Sequence, residues 1–116
     1  MKINIEVDTY DKRLATDILG RKSINSGDKI DIYRNTALEY HLTLKKFSIE
    51  APDTVIFTLD VEGNIATNTS IFATWLYDNL KNRAVKLKIN QIDVEIDEEE
   101  IKKIINEIVD LEEENG

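Results

Sequence analysis

The segment VKLKINQIDVEI, residues 85–96, alternates apolar and charged side chains on both sides of a central Asn90-Gln91 pair. A two-residue turn at this pair predicts a hairpin with one register, because the same alignment pairs apolar residues on one face and opposite charges on the other. The expected cross-strand partners are Ile89 with Ile92, Leu87 with Val94, Val85 with Ile96, Lys88 with Asp93 and Lys86 with Glu95. Gln91 stands where such turns usually have glycine, so we expect the turn to be strained or longer than two residues.

Amphipathic helices are predicted on both sides of this hairpin. The first runs from about Thr69 to Lys81, with Thr67, Asn68 or Thr69 as its N-cap. Its apolar stripe consists of Ile71, Phe72, Trp75, Leu76 and Leu80. The second helix follows Asp97, which is a suitable N-cap residue. Its apolar stripe consists of Ile101, Ile104, Ile105, Ile108, Val109 and Leu111. Residues 67–111 therefore predict a C-terminal αββα unit.

The N-terminal half is predicted to consist mostly of strands. Residues 2–7 alternate in polarity, and a short helix is expected from about Tyr10 to Leu19 before Gly20. From residue 28 to residue 61 the apolar period is two, which predicts a three-stranded antiparallel meander with a loop at 35–37. One apolar row is expected to share a face: Leu38, Tyr40, Leu42 and Leu44. The alternation then resumes with opposite parity at Phe47 and Ile49, which indicates a bulge near Lys45-Lys46.

These elements predict an α+β fold in a single domain, residues 1–116. We expect an antiparallel or mixed sheet of about five to six strands, with two main helices packed on one face. The chain has 116 residues, of which 41% are hydrophobic, and this is sufficient for one core.

Charge is distributed unevenly along the chain, whose net charge is −8. Residues 97–116 hold nine acids and two lysines, for −7, which leaves 14 acids and 13 bases, or −1, in residues 1–96. An acidic helix disfavours nucleic acid as a partner and favours a protein with a basic surface, although acids on a solvated helix also serve solubility. The sequence contains neither an 18-residue apolar run nor a signal-peptide pattern, so we expect a cytoplasmic protein with no membrane partner.

The sequence contains few residues that indicate chemistry. Cysteine is absent, and HExxH, GxSxG and phosphate-binding glycine motifs are absent as well. His41 is the single histidine, and it is interpreted as a strand residue rather than a general base. Asp93, Glu95, Asp97 and Glu99 form an alternating acidic row, but a calcium loop would need a central glycine. We therefore expect no metal, no cofactor and no enzymatic activity; an enzyme would need acids such as Asp60, Glu62 or Asp78 to converge in a pocket.

Candidate contact residues are taken from the two helices. Trp75 lies on the apolar stripe and is assigned to the core, whereas Tyr77 lies off the stripe and is a candidate for an interface. On the acidic helix the candidates for contact with a basic partner are Glu98, Glu99, Glu107 and Glu112.

The run ATWLYDNLK, residues 73–81, followed by VKLKINQIDVEI and an acidic helix, resembles small bacterial effector-associated domains of conflict and signalling systems. The resemblance covers roughly residues 67–112 and implies a non-enzymatic adaptor that recruits an effector. The sequence thus favours a cytosolic protein-interaction module. The alternative is a small acidic inhibitor or immunity-type protein from a mobile element, which would block a basic surface of a target enzyme. A homo-oligomer is compatible with both readings.

Overall fold

The computed structural model describes residues 1–62 and 65–115, with side chains for residues 1–62 and 69–112. Six strands form one antiparallel sheet, and three helices accompany it, which confirms the α+β class. In chain order the elements are β1 (Lys2–Thr9), α1 (Leu14–Leu19), β2 (Lys29–Tyr33), β3 (Thr36–Leu44), β4 (Asp53–Val61), α2 (Ile65–Leu80), β5 (Ala84–Ile89), β6 (Ile92–Val94) and α3 (Glu98–Asn115). The strand order across the sheet is β2-β3-β4-β1-β5-β6.

The core lies between one face of this sheet and the helices. Alternate residues of β1 and β4 are buried, and the buried residues of α1, α2 and α3 join the same cluster. The two long helices run antiparallel, because Thr74 donates a hydrogen bond to Glu98 while Thr69 and Ile105 line one small cavity. The ring of Trp75 stacks on Phe72 and is partly buried against the core, as expected. None of the described helices is long and apolar enough to cross a bilayer.

The C-terminal hairpin has the predicted register over its first three pairs. Ile89 lies opposite Ile92, Lys88 opposite Asp93 and Leu87 opposite Val94. The expected outer pairs do not form, because β6 ends at Val94 and the chain turns away to start α3. Nζ of Lys86 therefore lies 3.6 Å from Oδ1 of Asp93 instead of pairing with Glu95, and the side chain of Val85 is exposed.

The start of α3 agrees with its predicted N-cap, whereas α2 starts earlier than predicted. The N–H of Glu100 donates to the carboxylate of Asp97 over 3.1 Å, which confirms Asp97 as the N-cap of α3. The other helix, α2, begins at Ile65, earlier than predicted, and Thr69 is buried inside it. The side chains of Thr67 and Asn68 lie outside the described residues.

The meander over β2, β3 and β4 is present, but its bulge was placed wrongly. The register shifts between Tyr40 and Leu42, so the bulge is at His41 and not near Lys45-Lys46. One extra residue moves every later side chain of β3 to the other face. Leu42 and Leu44 therefore lie opposite Ile56 and Thr54 on the face that the helices leave open.

Two connections also differ from their predictions. Tyr33 pairs with Thr36, so the β2–β3 connection is a two-residue turn with Asn35 at φ 55°, not a three-residue loop. The first helix starts at Leu14 because Thr9 and Asp11 hold the preceding residues in a turn through side-chain hydrogen bonds of 2.9 Å. It ends at Gly20, in the left-handed conformation, as predicted.

The hairpin turn allows a direct test of backbone strain. Asn90 and Gln91 have φ values of 49° and 68°, the left-handed pair of a type I′ turn. Gln91→Gly is expected to raise the free energy of unfolding by about 0.5–1 kcal/mol, because glycine adopts this conformation without steric cost. Urea unfolding measures the change. Gln91→Ala, the control, keeps the strain and should not stabilise; equal stabilisation by both variants would contradict this explanation.

Candidate interaction surface

The open face of the sheet is polar over most of its area. Cross-strand neighbours place charged and hydroxyl side chains next to one another, and most of them are partly exposed. These residues are Asn4, Glu6, Asp8, Glu39, Thr54, Thr58, Asp60, Lys86 and Lys88. A solvated face of this kind is usual for an antiparallel sheet that has helices on one side only. Any apolar surface on this face therefore needs a separate explanation.

One corner of the open face is apolar. Leu42 and Leu44 are 45% and 46% exposed there, at the end of β3 from which the β3–β4 loop leaves. In that loop Phe47 is 91% exposed and Ile49 is 96% exposed. Tyr10 belongs to the same end of the sheet, since it lines a cavity of about 340 Å³ together with Phe47 and Ile49. We call these five residues, Tyr10, Leu42, Leu44, Phe47 and Ile49, the apolar corner.

The loop that carries Phe47 and Ile49 is attached to the fold by Asp53. One oxygen of the buried Asp53 carboxylate accepts the backbone N–H of Lys46 over 3.1 Å, and the other lies 2.8 Å from Nζ of Lys12. The loop is also bonded at its far side, where the hydroxyl of Tyr10 donates to the carbonyl of Glu50 over 3.1 Å. These bonds hold the backbone on both sides of the two exposed side chains.

Phe47 also has an unusual backbone conformation. Its φ is 54°, in the left-handed region that is unfavourable for a bulky residue. Such strain persists where surrounding contacts impose it, and it is concentrated at functional sites. The ring of Phe47 lies in solvent, so it contributes little to the stability of the isolated chain and does not offset the cost of this conformation.

The sequence prediction missed this corner. Periodicity placed Leu42 and Leu44 on one face with Leu38 and Tyr40, whereas they lie on the opposite face. It also continued the alternation through Phe47 and Ile49, which instead lie in the β3–β4 loop. A signal for the loop was nevertheless present in the run KKFSIEAPD, residues 45–53, where Phe47 and Ile49 are surrounded by lysines, acids and a proline.

The glutamates predicted from charge do not share one surface. Glu98 and Glu112 are spaced i and i+14 with the buried Ile105 halfway between them, so both lie on the core side of α3. Glu98 is partly buried and bonded to Thr74, whereas Glu112 is exposed where the helix extends past the core. Glu99 and Glu107 are exposed on the outer side of the helix.

Tyr77, the aromatic residue predicted to lie at an interface, is partly buried. It packs against the core, and Nζ of Lys81 lies 5.7 Å from the centre of its ring. This places Tyr77 on the helical side of the molecule, away from the open face that carries the apolar corner.

The acids that an enzyme would need are only partly brought together. Asp60 and Glu62 line a cavity of about 460 Å³ near the β2–β3 turn, and Asp31, which the sequence did not indicate, joins them. Asp78 does not line this cavity; it lies on α2, where its Oδ1 is 3.6 Å from Nζ of Lys81. Within the described residues no group of three or more potential ligands could hold a metal ion.

His41 contacts two polar neighbours at its bulge. Nε2 of the ring is hydrogen-bonded to the hydroxyl of Thr58, and Nδ1 lies 3.8 Å from the carboxylate of Glu39. Both partners belong to the open face, opposite one another on β4 and β3. The contacts hold the imidazole across two strands and so support the register around the bulge.

Comparisons of the chain with protein-family models, curated proteins and solved structures found no match. The resemblance of residues 67–112 to effector-associated domains therefore stays a prediction.

The anchor of the loop predicts a dependence of stability on pH. The hydrogen bond from Lys12 and the backbone N–H of Lys46 hold the pKa of Asp53 below its usual value. The stabilisation by the Asp53 carboxylate is therefore complete above the pKa of this group in the unfolded chain, about 3.9. It is lost as the pH falls through the lower pKa that the group has in the folded protein. Asp53→Asn should lower the free energy of unfolding at pH 7, and its difference from wild type should shrink below about pH 4.

Urea unfolding of wild type and Asp53→Asn across this pH range measures that difference. Asp31→Asn is the control, because Asp31 is exposed on the edge strand β2. A difference that persists unchanged to the lowest pH, or no difference at pH 7, would contradict the assigned anchor.

The strain at Phe47 predicts that its replacement stabilises the fold. Phe47→Asn should raise the free energy of unfolding by about 0.5–1 kcal/mol, since asparagine tolerates the left-handed conformation and the lost ring is exposed. The backbone of Ile49 does not have a positive φ, so Ile49→Asn should change the free energy of unfolding by less than about 0.5 kcal/mol. Thermal or urea unfolding measures both. Destabilisation by Phe47→Asn of more than about 1 kcal/mol would mean that the ring packs against the fold.

Proposed function

We propose that this chain is a non-enzymatic, cytosolic protein-interaction module, an adaptor or a regulatory component, and that the apolar corner is its contact surface. The observation that carries the proposal is the nearly complete exposure of Phe47 and Ile49 on a loop whose backbone is bonded to the fold. Clustered apolar exposure of this kind is typical of protein contact sites.

Energetics support a binding role for this corner. Burial of a phenylalanine and an isoleucine side chain against a partner contributes about 1.5–3 kcal/mol each. Because the loop is already held by Asp53 and Tyr10, little backbone entropy is lost when the partner binds. Leu42 and Leu44 are exposed at the end of β3 from which the loop leaves, so a partner that covers this end of the sheet can contact them as well. Aromatic anchors surrounded by such contacts dominate many interfaces.

A second candidate function, an inhibitor that blocks a basic surface of an enzyme, rests on a different part of the molecule. Glu99, Glu107 and Glu112 are exposed on α3, and none of them forms an ion pair with another residue for which the structure describes a side chain. Unpaired carboxylates on one helix suit a cationic partner, whose approach they would accelerate.

Capture experiments with three baits separate the two functions. Wild type, Phe47→Ser/Ile49→Ser and Glu99→Gln/Glu107→Gln/Glu112→Gln are immobilised and exposed to lysate of the cells from which the chain comes. Bound proteins are quantified by mass spectrometry. If the apolar corner is the contact surface, a stoichiometric partner of wild type other than the chain itself is retained by the glutamine variant and lost, by about tenfold or more, by the serine variant.

The reverse pattern would support the inhibitor function and contradict the proposed one. Equal capture by all three baits would exclude both surfaces. Because all the replaced side chains are exposed, the three baits should unfold at similar urea concentrations, and this is the control for folding.

A further inference from the structure

The two ends of the molecule carry opposite charge beside exposed apolar side chains. At one end, Lys45 and Lys46 directly precede Phe47 and form no ion pair with the described residues. Near the end of α3, Glu107 and Asp110 are exposed next to Leu111, which is 58% exposed. These three residues are neighbours on the helix surface, at spacings of three and four. We call Glu107, Asp110 and Leu111 the acidic patch.

The fold separates the acidic patch from the apolar corner. The β3–β4 loop leaves the sheet where β4 begins, whereas Ile105 lies over Val61, where β4 ends. A nine-residue strand is about 30 Å long, and α3 continues for ten residues beyond Ile105, about 15 Å of helix. The longest dimension of the molecule is 43 Å. The acidic patch and the apolar corner therefore cannot meet within one chain.

The patch and the corner are complementary in composition. Each has an apolar centre, Leu111 in one and Phe47 with Ile49 in the other. The exposed charges beside the corner are two lysines and one acid, Glu50, whereas those beside Leu111 are three acids, Glu107, Asp110 and Glu112, with one lysine, Lys103. The excess charge at the two surfaces therefore has opposite sign. We infer that the apolar corner of one copy docks onto the acidic patch of a second copy. This inference rests on the proposed function, because it uses the same corner and names its partner.

A contact between two different surfaces has consequences for assembly. It leaves one corner and one patch free at the two ends of every complex, so association continues beyond the dimer unless a ring closes. The contact surfaces are small, and we expect a dissociation constant on the order of 10–100 µM at low ionic strength. Salt weakens the contact, because the flanking charges are exposed to solvent.

The observations favour this partner over two others. Contact between two corners would bring four lysines together with only two acids, the copies of Glu50, so repulsion would dominate and salt would strengthen the contact. An anionic membrane would meet the lysines favourably, but the chain as a whole carries −8, which anionic lipids repel.

Charge reversal tests the contact. Variant one is Lys45→Glu/Lys46→Glu, and variant two is Glu107→Lys/Asp110→Lys. In variant one both the apolar corner and the acidic patch carry acids, and in variant two both carry lysines, so neither variant can pair opposite charges with itself. In a mixture, the acidic surfaces of variant one can pair with the basic surfaces of variant two. Sedimentation velocity is recorded for wild type, each variant and their equimolar mixture, from about 10 µM to about 1 mM and at about 0.05 M and 0.5 M salt.

We expect the sedimentation coefficient of wild type to rise with concentration at low salt and to fall back at high salt. Each variant alone should associate at least about tenfold more weakly, and the mixture should regain the association. Restoration by mixing also shows that both variants are folded. A wild type that stays monomeric, a dimer that resists salt or the lysine reversal, or a mixture that does not associate would overturn the inference. In each of these cases the capture experiment still decides the proposed function, because it detects other proteins bound at the same corner.

Discussion

The whole sheet depends on β1, which hydrogen-bonds to β4 on one side and to β5 on the other. Its core-facing residues Ile3, Ile5 and Val7 are fully buried, and through them the N-terminal meander and the C-terminal hairpin share one core. The seam between β1 and β5 is reinforced at both ends. Asn90 exchanges two hydrogen bonds of 2.8 Å with Asn4, and Arg83 reaches Asp11 and Asp17, each over 2.7 Å.

Local patterns in the sequence predicted the unit on either side of β1, apart from the bulge and the first turn of the meander. The hairpin register follows from alternation on both faces around Asn90-Gln91, and α3 follows from Asp97 and its apolar stripe. The position of β1 in the centre could not be predicted, because alternation shows that a strand is half-buried and not which strands pair with it. That choice depends on contacts between residues as distant as Asn4 and Asn90.

The candidate site was harder to predict because it depends on where a single extra residue is inserted. A bulge at His41 and a bulge near Lys45 give the same parity beyond Lys46, at Phe47 and Ile49, but they place Leu42 and Leu44 on opposite faces. The exposure of Phe47 further depends on Asp53, whose carboxylate accepts the N–H of Lys46 and so stabilises a loop where periodicity predicts a strand. The charge of α3 can be counted from the sequence, whereas the exposure of an apolar side chain depends on the fold.

The loop from Lys45 to Glu50 is held in place and presents Phe47 and Ile49 in a fixed geometry. Backbone ¹⁵N relaxation of the isolated protein measures this directly, through the order parameters of the amides in this loop. A loop held by Asp53 and Tyr10 should have order parameters close to about 0.85, the value of the neighbouring strands. Values below about 0.6 would describe a loop that moves freely and would contradict a preformed contact surface.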